Sequence, residues 1–350
     1  MEYRQCGTTD MKFSVLGFGC WSFGGGDYWG ETSQKDVNDV VKTAFDNGIN
    51  YYDTAELYNE GRSEESLGIA IRELPREELI IGSKVSPSNA YYDKLIDHCN
   101  ASLKRLKTNY MDVYMIHWPI HSKSMEFFTD DPEVINNPPT LQEAVEALKH
   151  LRKQGKIRHI GVSNFAPYRM KHILNLDKDI AVNQLSYNLY SRAIEFDILP
   201  FCIEKGIGVI TYSVLMQGIL ADLYKTIDDI PLMYRRTRHF NSATNTKSRH
   251  GEPGFEDELM KEMADVRKIV SETGISMSDL AISWSVSNKD ITTFLIGTRS
   301  VNRLKSNINA VNMGIGDELV TTMTEISDTL KDLMGSGFDY YEGLHNDRTI

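Results

Sequence analysis

Three stretches of this sequence carry the side chains best placed to do chemistry. Asp53 and Tyr58 lie in Tyr51-Tyr52-Asp53-Thr54-Ala55-Glu56-Leu57-Tyr58, Lys84 ends Leu79-Ile80-Ile81-Gly82-Ser83-Lys84, and His117 ends Tyr110-Met111-Asp112-Val113-Tyr114-Met115-Ile116-His117. Each polar group stands where a strand-like run meets a loop. A phenol can give a proton to an oxygen that is gaining charge, but an ordinary pKa of about 10 makes it a reluctant acid–base near neutrality. A neighbouring ammonium favours the phenolate and is expected to lower that pKa, while a carboxylate holds the ammonium charged and in place. An imidazole can donate a hydrogen bond to the same oxygen. The set suits reduction of an aldehyde or ketone. None of these groups supplies a hydride, so a redox cofactor is implied. Singly, each has an ordinary role: a tyrosine packs, an aspartate caps a turn, a lysine is solvated, a histidine is structural. Their joint occurrence at successive strand ends favours chemistry.

The elements around them must bring those ends together. Strand-like runs end near Gly19, Asp53, Lys84, His117, Ser163, Gln184, Tyr212 and Gly297, and nearly all are separated by helical patterns. That alternation predicts parallel βα units and an α/β fold, a single (β/α)8 TIM barrel whose strand C-termini share the face where sites are built. Ser33 with Asp36, and Thr140 with Glu143, form capping-box patterns ahead of amphipathic runs that stop near Gly48 and Gly155. Leu95, Ile96, Cys99, Leu103 and Leu106 form another helical stripe, read as core. Residues 1–15 read as an N-terminal β-hairpin, 222–255 as a long loop after the seventh strand, and 314–350 as a C-terminal tail. One domain over 1–350 is expected.

Asp53-Thr54-Ala55-Glu56-Leu57-Tyr58, Lys84 closing its strand, and Ile116-His117 resemble the catalytic tetrad of the aldo-keto reductases. Gly61-Arg62-Ser63-Glu64-Glu65 and Ser102-Leu103-Lys104-Arg105-Leu106 are similar to stretches of bacterial-type members, and the resemblance runs from about Glu2 to Ile308. It implies an NADP(H)-dependent oxidoreductase acting on a small carbonyl or alcohol.

The same resemblance covers a cofactor groove. Gly161-Val162-Ser163-Asn164-Phe165 is similar to the family's stretch whose Ser and Asn hold the nicotinamide carboxamide with a glutamine, here Gln184, while Tyr212 matches the aromatic that stacks on the ring. Ser213, Leu215 and Gly218 after the seventh strand, Gly297 and Thr298 after the eighth, and Gly19 and Trp21 after the first complete the implied cofactor contacts. Read without the family, Ser163 or Asn164 could equally cap a helix and Tyr212 could be core. The adenosine end has a physical signal of its own. Arg299, Arg303 and Lys305 cluster at a helix start with no acid among them, where cations are unfavourable for the helix itself and an anion is welcome. A 2′-phosphate fits, and the resemblance gives Arg303 the phosphate and Asn307 the adenine side. A solvated basic helix start is the plain alternative. Ile296, Val214 and Ser306 depart from the usual family residues, which keeps NAD(H) open.

The substrate walls expected on this face are Trp21, Tyr28, Trp29, Trp118 and Tyr187. The loop after the seventh strand holds Arg235, Arg236, Arg238, His239, Lys247, Arg249 and His250 with Glu252 as its acid. It reads as a lid over the cofactor pyrophosphate, an anionic substrate site, or an exposed loop. With 41% hydrophobic and 25% charged residues, the composition is that of a globular chain. A net charge of -11 argues against nucleic-acid and acidic-membrane partners. The four dispersed cysteines show no metal spacing and fit a reducing cytoplasm. Two other functions compete. His117, His121, Asp53 and Glu56 could serve a metal-dependent barrel hydrolase. Potassium-channel β subunits show that a reductase barrel can also be a regulatory subunit that senses NADP(H). Sequence says nothing of oligomeric state, and no metal is expected.

Overall fold

The computed structural model describes residues 1–350. An antiparallel hairpin comes first, β1 (Tyr3–Gln5) with β2 (Lys12–Ser14). Eight parallel strands follow and close on themselves: β3 (Leu16–Gly19), β4 (Tyr51–Asp53), β5 (Ile80–Val85), β6 (Met111–Ile116), β7 (Ile157–Ser163), β8 (Ile180–Ser186), β9 (Gly208–Tyr212) and β10 (Thr293–Ile296), with β10 paired to β3. The expected barrel and hairpin are both present.

The hairpin forms the barrel floor. Phe13 meets Tyr51 edge-on at 4.6 Å, and the two pack in one cluster with Cys6 and Met11 of the hairpin and Val113, Met115, Val182, Ile210 and Leu295 of the barrel. Gly82 leaves room for Tyr51, because a Cβ there would lie 2.6 Å from the phenol oxygen. Arg4 fastens the hairpin by donating to the carbonyls of Val286, Asn288 and Ile291.

Outside the strands, α1 (Gln34–Asp46), α2 (Arg62–Ala70), α3 (Tyr92–Leu106), α4 (Ser122–Phe128), α5 (Pro132–Asn136), α6 (Leu141–Lys153), α7 (Pro167–Leu176), α8 (Ile198–Lys205), α9 (Glu256–Thr273), α10 (Met277–Ser287) and α11 (Val301–Met313) cover the barrel. The two capping boxes differ. Thr140 and Glu143 exchange both bonds; at Ser33 the shorter Asp36 carboxylate reaches the serine hydroxyl at 2.7 Å instead of the backbone N–H. Residues 222–255 are a loop with two single turns of 3-10 helix, as expected. The tail, 314–350, begins with α12 (Asp317–Ile326) and α13 (Asp328–Met334), and irregular chain follows. No helix is long and apolar enough to cross a membrane.

Candidate active site

The C-terminal ends of β4, β5 and β6 are neighbours, with Asp53 paired to Gly82 and Lys84 to Met115. That register brings together side chains 64 positions apart in sequence (53 to 117). Lys84 is fully buried, and its Nζ donates to Asp53 Oδ2 at 2.7 Å, to the Thr54 carbonyl at 2.9 Å and to Tyr58 Oη at 3.1 Å. The Tyr58 and His117 rings meet edge-to-face at 5.6 Å. Tyr58 enters from a turn in which Asn59 and Glu60 hold positive φ. Asn59 fixes that turn by donating to the carbonyls of Trp21 and Phe23 at 2.8 and 2.7 Å.

Two further groups hold the Asp53 carboxylate. Tyr51 donates to Oδ1 at 3.1 Å and Gln184 Nε2 at 2.7 Å. The role of Tyr51 was missed in the sequence although a signal existed: two residues before Asp53 on one strand, it must share its face. Gln184 was expected on the cofactor, and here its amide nitrogen is committed to Asp53.

Electrostatics correct one expectation. Burial pushes the Tyr58 phenol up and outweighs the opposing pull of the Lys84 charge, so its pKa ends above, not below, the ordinary tyrosine value. Lys84 is also raised: the attraction of Asp53 and Tyr58 overcomes the cost of burying the ammonium. His117 is driven well below the usual histidine range, first by burial and then by Lys84, and is neutral at pH 7. Its Nδ1 is buried without a partner.

Beyond the tetrad, Ser163, Asn164, Gln184 and Tyr212 do converge. Asn164, at φ 63°, donates to Ser163 Oγ at 2.9 Å and accepts from the Tyr212 hydroxyl at 2.8 Å. After β9, Ser213, Met216, Gln217 and Gly218 hold positive φ, with Leu215 between them. Such strain persists in non-glycine residues where the surroundings over-determine it, often at ligand clamps. Gly297 has a packing reason: a Cβ there would lie 2.4 Å from the Gly19 carbonyl oxygen. Thr298 accepts from the Ser300 N–H at 3.1 Å. Arg299 is engaged with the Glu31 carbonyl and Thr32 hydroxyl at 2.8 and 2.7 Å, so it pins the loop after β3. Arg303 lies exposed in the first turn of α11, one turn before Asn307, and no carboxylate pairs with it.

The aromatic residues expected as substrate walls fall into separate groups. Trp21 stacks on Tyr28 at 5.1 Å, touches Trp29 edge-on at 5.2 Å and lies 5.8 Å from Tyr58. Trp118 directly follows His117, and its ring lies 6.5 Å from that of Phe128. Tyr187 does not belong to the pocket: its hydroxyl bonds Glu195 at 2.7 Å and its ring stacks on Trp284 of α10, because strand alternation turns it toward the helices.

The basic loop is also redirected. Arg238 is buried and donates to Glu252 at 2.7 Å and to the carbonyls of Gly337 and Met334. Arg249 pairs with Glu342, and Arg235 with Asp228. Arg238 and Arg249 fasten the loop to the C-terminal tail, so the lid reading loses Arg238 as a free pyrophosphate ligand. The proposed metal ligands do not gather either. Glu56 is bound by Ser86 N–H, Asn89 and His98, and His121 faces the Arg348 carbonyl. A cavity of about 650 Å³ opens at the opposite, hairpin end beside Asp10, Asp46 and Arg158. The convergent polar groups lie at the strand C-termini instead, where barrels build their sites.

The profile described as the aldo/keto reductase family matches residues 15–328. The chain belongs to the aldo/keto reductase family. As a member it is an oxidoreductase. It is 28% identical to the NADH-specific methylglyoxal reductase of Escherichia coli K12, across 95% of this chain and 100% of that one. It is 27% identical, over 89% of its length and 92% of the other's, to an Arabidopsis thaliana chain named "Probable voltage-gated potassium channel subunit beta". Among solved structures it resembles an aldo/keto reductase from Klebsiella pneumoniae in complex with NADP and acetate, at TM-score 0.69 and 25% identity, covering 93% of this chain and 96% of that one.

Proposed function

We propose that this aldo/keto reductase reduces an aldehyde or ketone with NADPH, Tyr58 giving the proton and His117 polarising the carbonyl oxygen. The observation that carries the reading is the single ammonium, Lys84 Nζ, within bonding distance of both Asp53 and Tyr58. A bound reduced nicotinamide supplies the hydride. Tyr58, kept protonated by burial, donates to the oxygen as negative charge develops on it. Lys84 stabilises the phenolate that remains, and Asp53 holds the ammonium. Neutral His117 donates a hydrogen bond to the same oxygen without competing for the proton. Preorganised donors of this kind matter most in a site closed to water.

The residues that follow β7 and β9 support a dinucleotide reading. Asn164 and Ser163 offer polar atoms beside the Tyr212 ring, suited to a carboxamide and a stacked pyridine ring. Unpaired Arg303 at the start of α11 suits a phosphate, since the helix terminus and the guanidinium both favour an anion. That residue supports NADP(H) over NAD(H), although one relative carries an NADH-specific name. A small carbonyl or alcohol is the partner that the aromatic walls suit, and a reducing cytoplasm suits a chain whose four cysteines are all free. The relative named for a channel subunit keeps a binding role in view, but the complete tetrad favours turnover. The test is the loss of 340 nm absorbance with a panel of aldehydes, each run with NADPH and with NADH. Turnover with NADPH preferred is expected. Cofactor binding with no aldehyde or ketone reduced by either dinucleotide would overturn the reading in favour of the regulatory role.

A further inference from the structure

One buried carboxylate beside the tetrad has no part in the proposed reaction. Glu56 stands two residues before Tyr58, and its partners all lie on the outer side of the barrel. Its Oε1 accepts from the Ser86 N–H at 2.8 Å and from Asn89 Nδ2 at 2.9 Å, and its Oε2 meets His98 Nδ1 of α3 at 2.7 Å. That last bond raises the His98 imidazole above its ordinary value, against burial and the charges of Arg105 and Lys94.

The backbone shows what these bonds hold. β4 ends at Asp53, but the chain beyond it stays attached to β5. The Thr54 N–H donates to the Gly82 carbonyl at 2.9 Å, and the Glu56 N–H to the Lys84 carbonyl at 3.3 Å. At Ser86, the next position of that ladder, the Glu56 carboxylate takes the N–H. Glu56 is therefore tied to Lys84 through its backbone and to Ser86 through its side chain. Just past Tyr58, Asn59 and Glu60 take φ of 51° and 61°, a conformation that costs non-glycine residues and persists only where the surroundings enforce it. The far end of the turn is fixed by Glu64, which accepts from Ser83 Oγ at 2.5 Å and from Arg105 Nε at 2.6 Å. Asn59 fixes its middle, and Glu56 its near end. The contact this protects is Lys84 Nζ to Tyr58 Oη, at 3.1 Å the longest of the three bonds that the ammonium makes.

We propose that Glu56 is a positioning residue for the proton donor: clamped by Ser86, Asn89 and His98, it sets the Tyr58 hydroxyl against the Lys84 ammonium. This rests on the reductase reading above. Glu56 touches no reacting atom and acts by fixing the start of the turn. A displacement of about 1 Å at a reacting group can cost on the order of 100-fold in rate.

The test uses the full chain with NADPH and a reducible aldehyde. It measures the single-turnover rate, the NADPH dissociation constant, the steady-state KM and the pH profile of alcohol oxidation. Glu56→Ala is expected to slow the chemical step about tenfold or more, while cofactor affinity and aldehyde KM stay within about twofold. Lys84 is the main group opposing the rise of the Tyr58 phenol, so loosening their contact also moves the oxidation limb to more alkaline pH. Glu56→Gln keeps an oxygen for Ser86 and Asn89 and should recover most of the rate and the parental limb. Arg152→Met breaks the 2.8 Å pair between Arg152 and Asp177 at the C-terminal ends of α6 and α7, on the floor side of the barrel. It should lower stability with neither change. If Glu56→Ala does not fold, the double variant Asn89→Ala with His98→Ala removes two of the three donors and should show both changes, each smaller. A parental chemical step in the alanine variants, a slowed step with the oxidation limb unmoved, or a glutamine variant as slow as the alanine one would overturn the positioning role. An unaltered enzyme that reduces no aldehyde would strike instead at the reductase reading itself.

Discussion

Replacing Lys84 with methionine removes the one cation of the tetrad while nearly keeping its volume. Two consequences can be worked from the geometry and measured separately. The first is stability. Lys84 is fully buried, and its loss leaves Asp53 without its charge partner. Breaking a buried pair from one side costs roughly 3–5 kcal/mol. Tyr51 and Gln184 still donate to Asp53, so the lower end, about 3 kcal/mol, is expected in urea unfolding. The second is chemistry. In the proposed reaction the ammonium stabilises the charge left on Tyr58, and losing one such preorganised donor costs on the order of 100-fold or more in the chemical step. A pH signature distinguishes this from general damage. Lys84 is the largest influence holding the Tyr58 phenol down against burial. Without it that pKa climbs further, and alcohol oxidation, which needs the phenolate to accept a proton, moves to more alkaline pH. Carbonyl reduction, which needs the phenol, gains nothing. The assay is single-turnover NADPH decay in one direction and the pH profile of NADP+ reduction in the other. A folded variant that reduces aldehyde within threefold of the parent, or whose oxidation limb moves to lower pH, would refute the reasoning.

Arg303→Ala should weaken NADPH binding about tenfold or more and NADH binding by less than threefold, read by cofactor fluorescence; equal losses would remove the 2′-phosphate argument. His239 is fully buried, and burial pushes its imidazole down to about 4. The unfolded chain therefore takes up this proton first, and stability present above the ordinary histidine range is lost as pH falls, by about 3 kcal/mol near pH 4. Urea unfolding at pH 7.5 and 4.5 should show that drop, and His239→Gln should shrink it; an unchanged difference would contradict the assignment. Arg238→Ala removes the bonds from the loop to Glu252, Gly337 and Met334, and is expected to lower Tm by several degrees and expose the tail to protease. A tail as resistant as before would show that the latch lies elsewhere.

Much of this site was legible because a parallel barrel turns short sequence signals into geometry. Asp53, Lys84 and His117 each follow an apolar run, and neighbouring runs in such a fold must end side by side. The direction of the Tyr58 shift was not legible, since it depends on how completely the phenol is buried, and burial at a loop position is a tertiary property. Tyr187 was misread for a related reason: an aromatic just past a strand faces the pocket or the helices according to one residue of register. The tail was opaque altogether. Nothing in Asp339 or Arg348 announces that the chain returns to lie against Trp118, 230 positions earlier (348 to 118). The basic cluster around Arg238 was visible, but Arg249's partner Glu342 and the Met334 and Gly337 carbonyls that Arg238 meets lie far along the chain, so an internal latch looked like free positive charge.

The proton donor is the point on which the account is most exposed, and Tyr58→Phe tests it with little change of shape. Cofactor binding and a single turnover of NADPH with a reducible aldehyde should be measured on the same preparation. The account predicts a dissociation constant close to the parent's and a chemical step at least 100-fold slower, in the range expected for losing a positioned general acid. A variant that binds NADPH and oxidises it at the parental rate would contradict it.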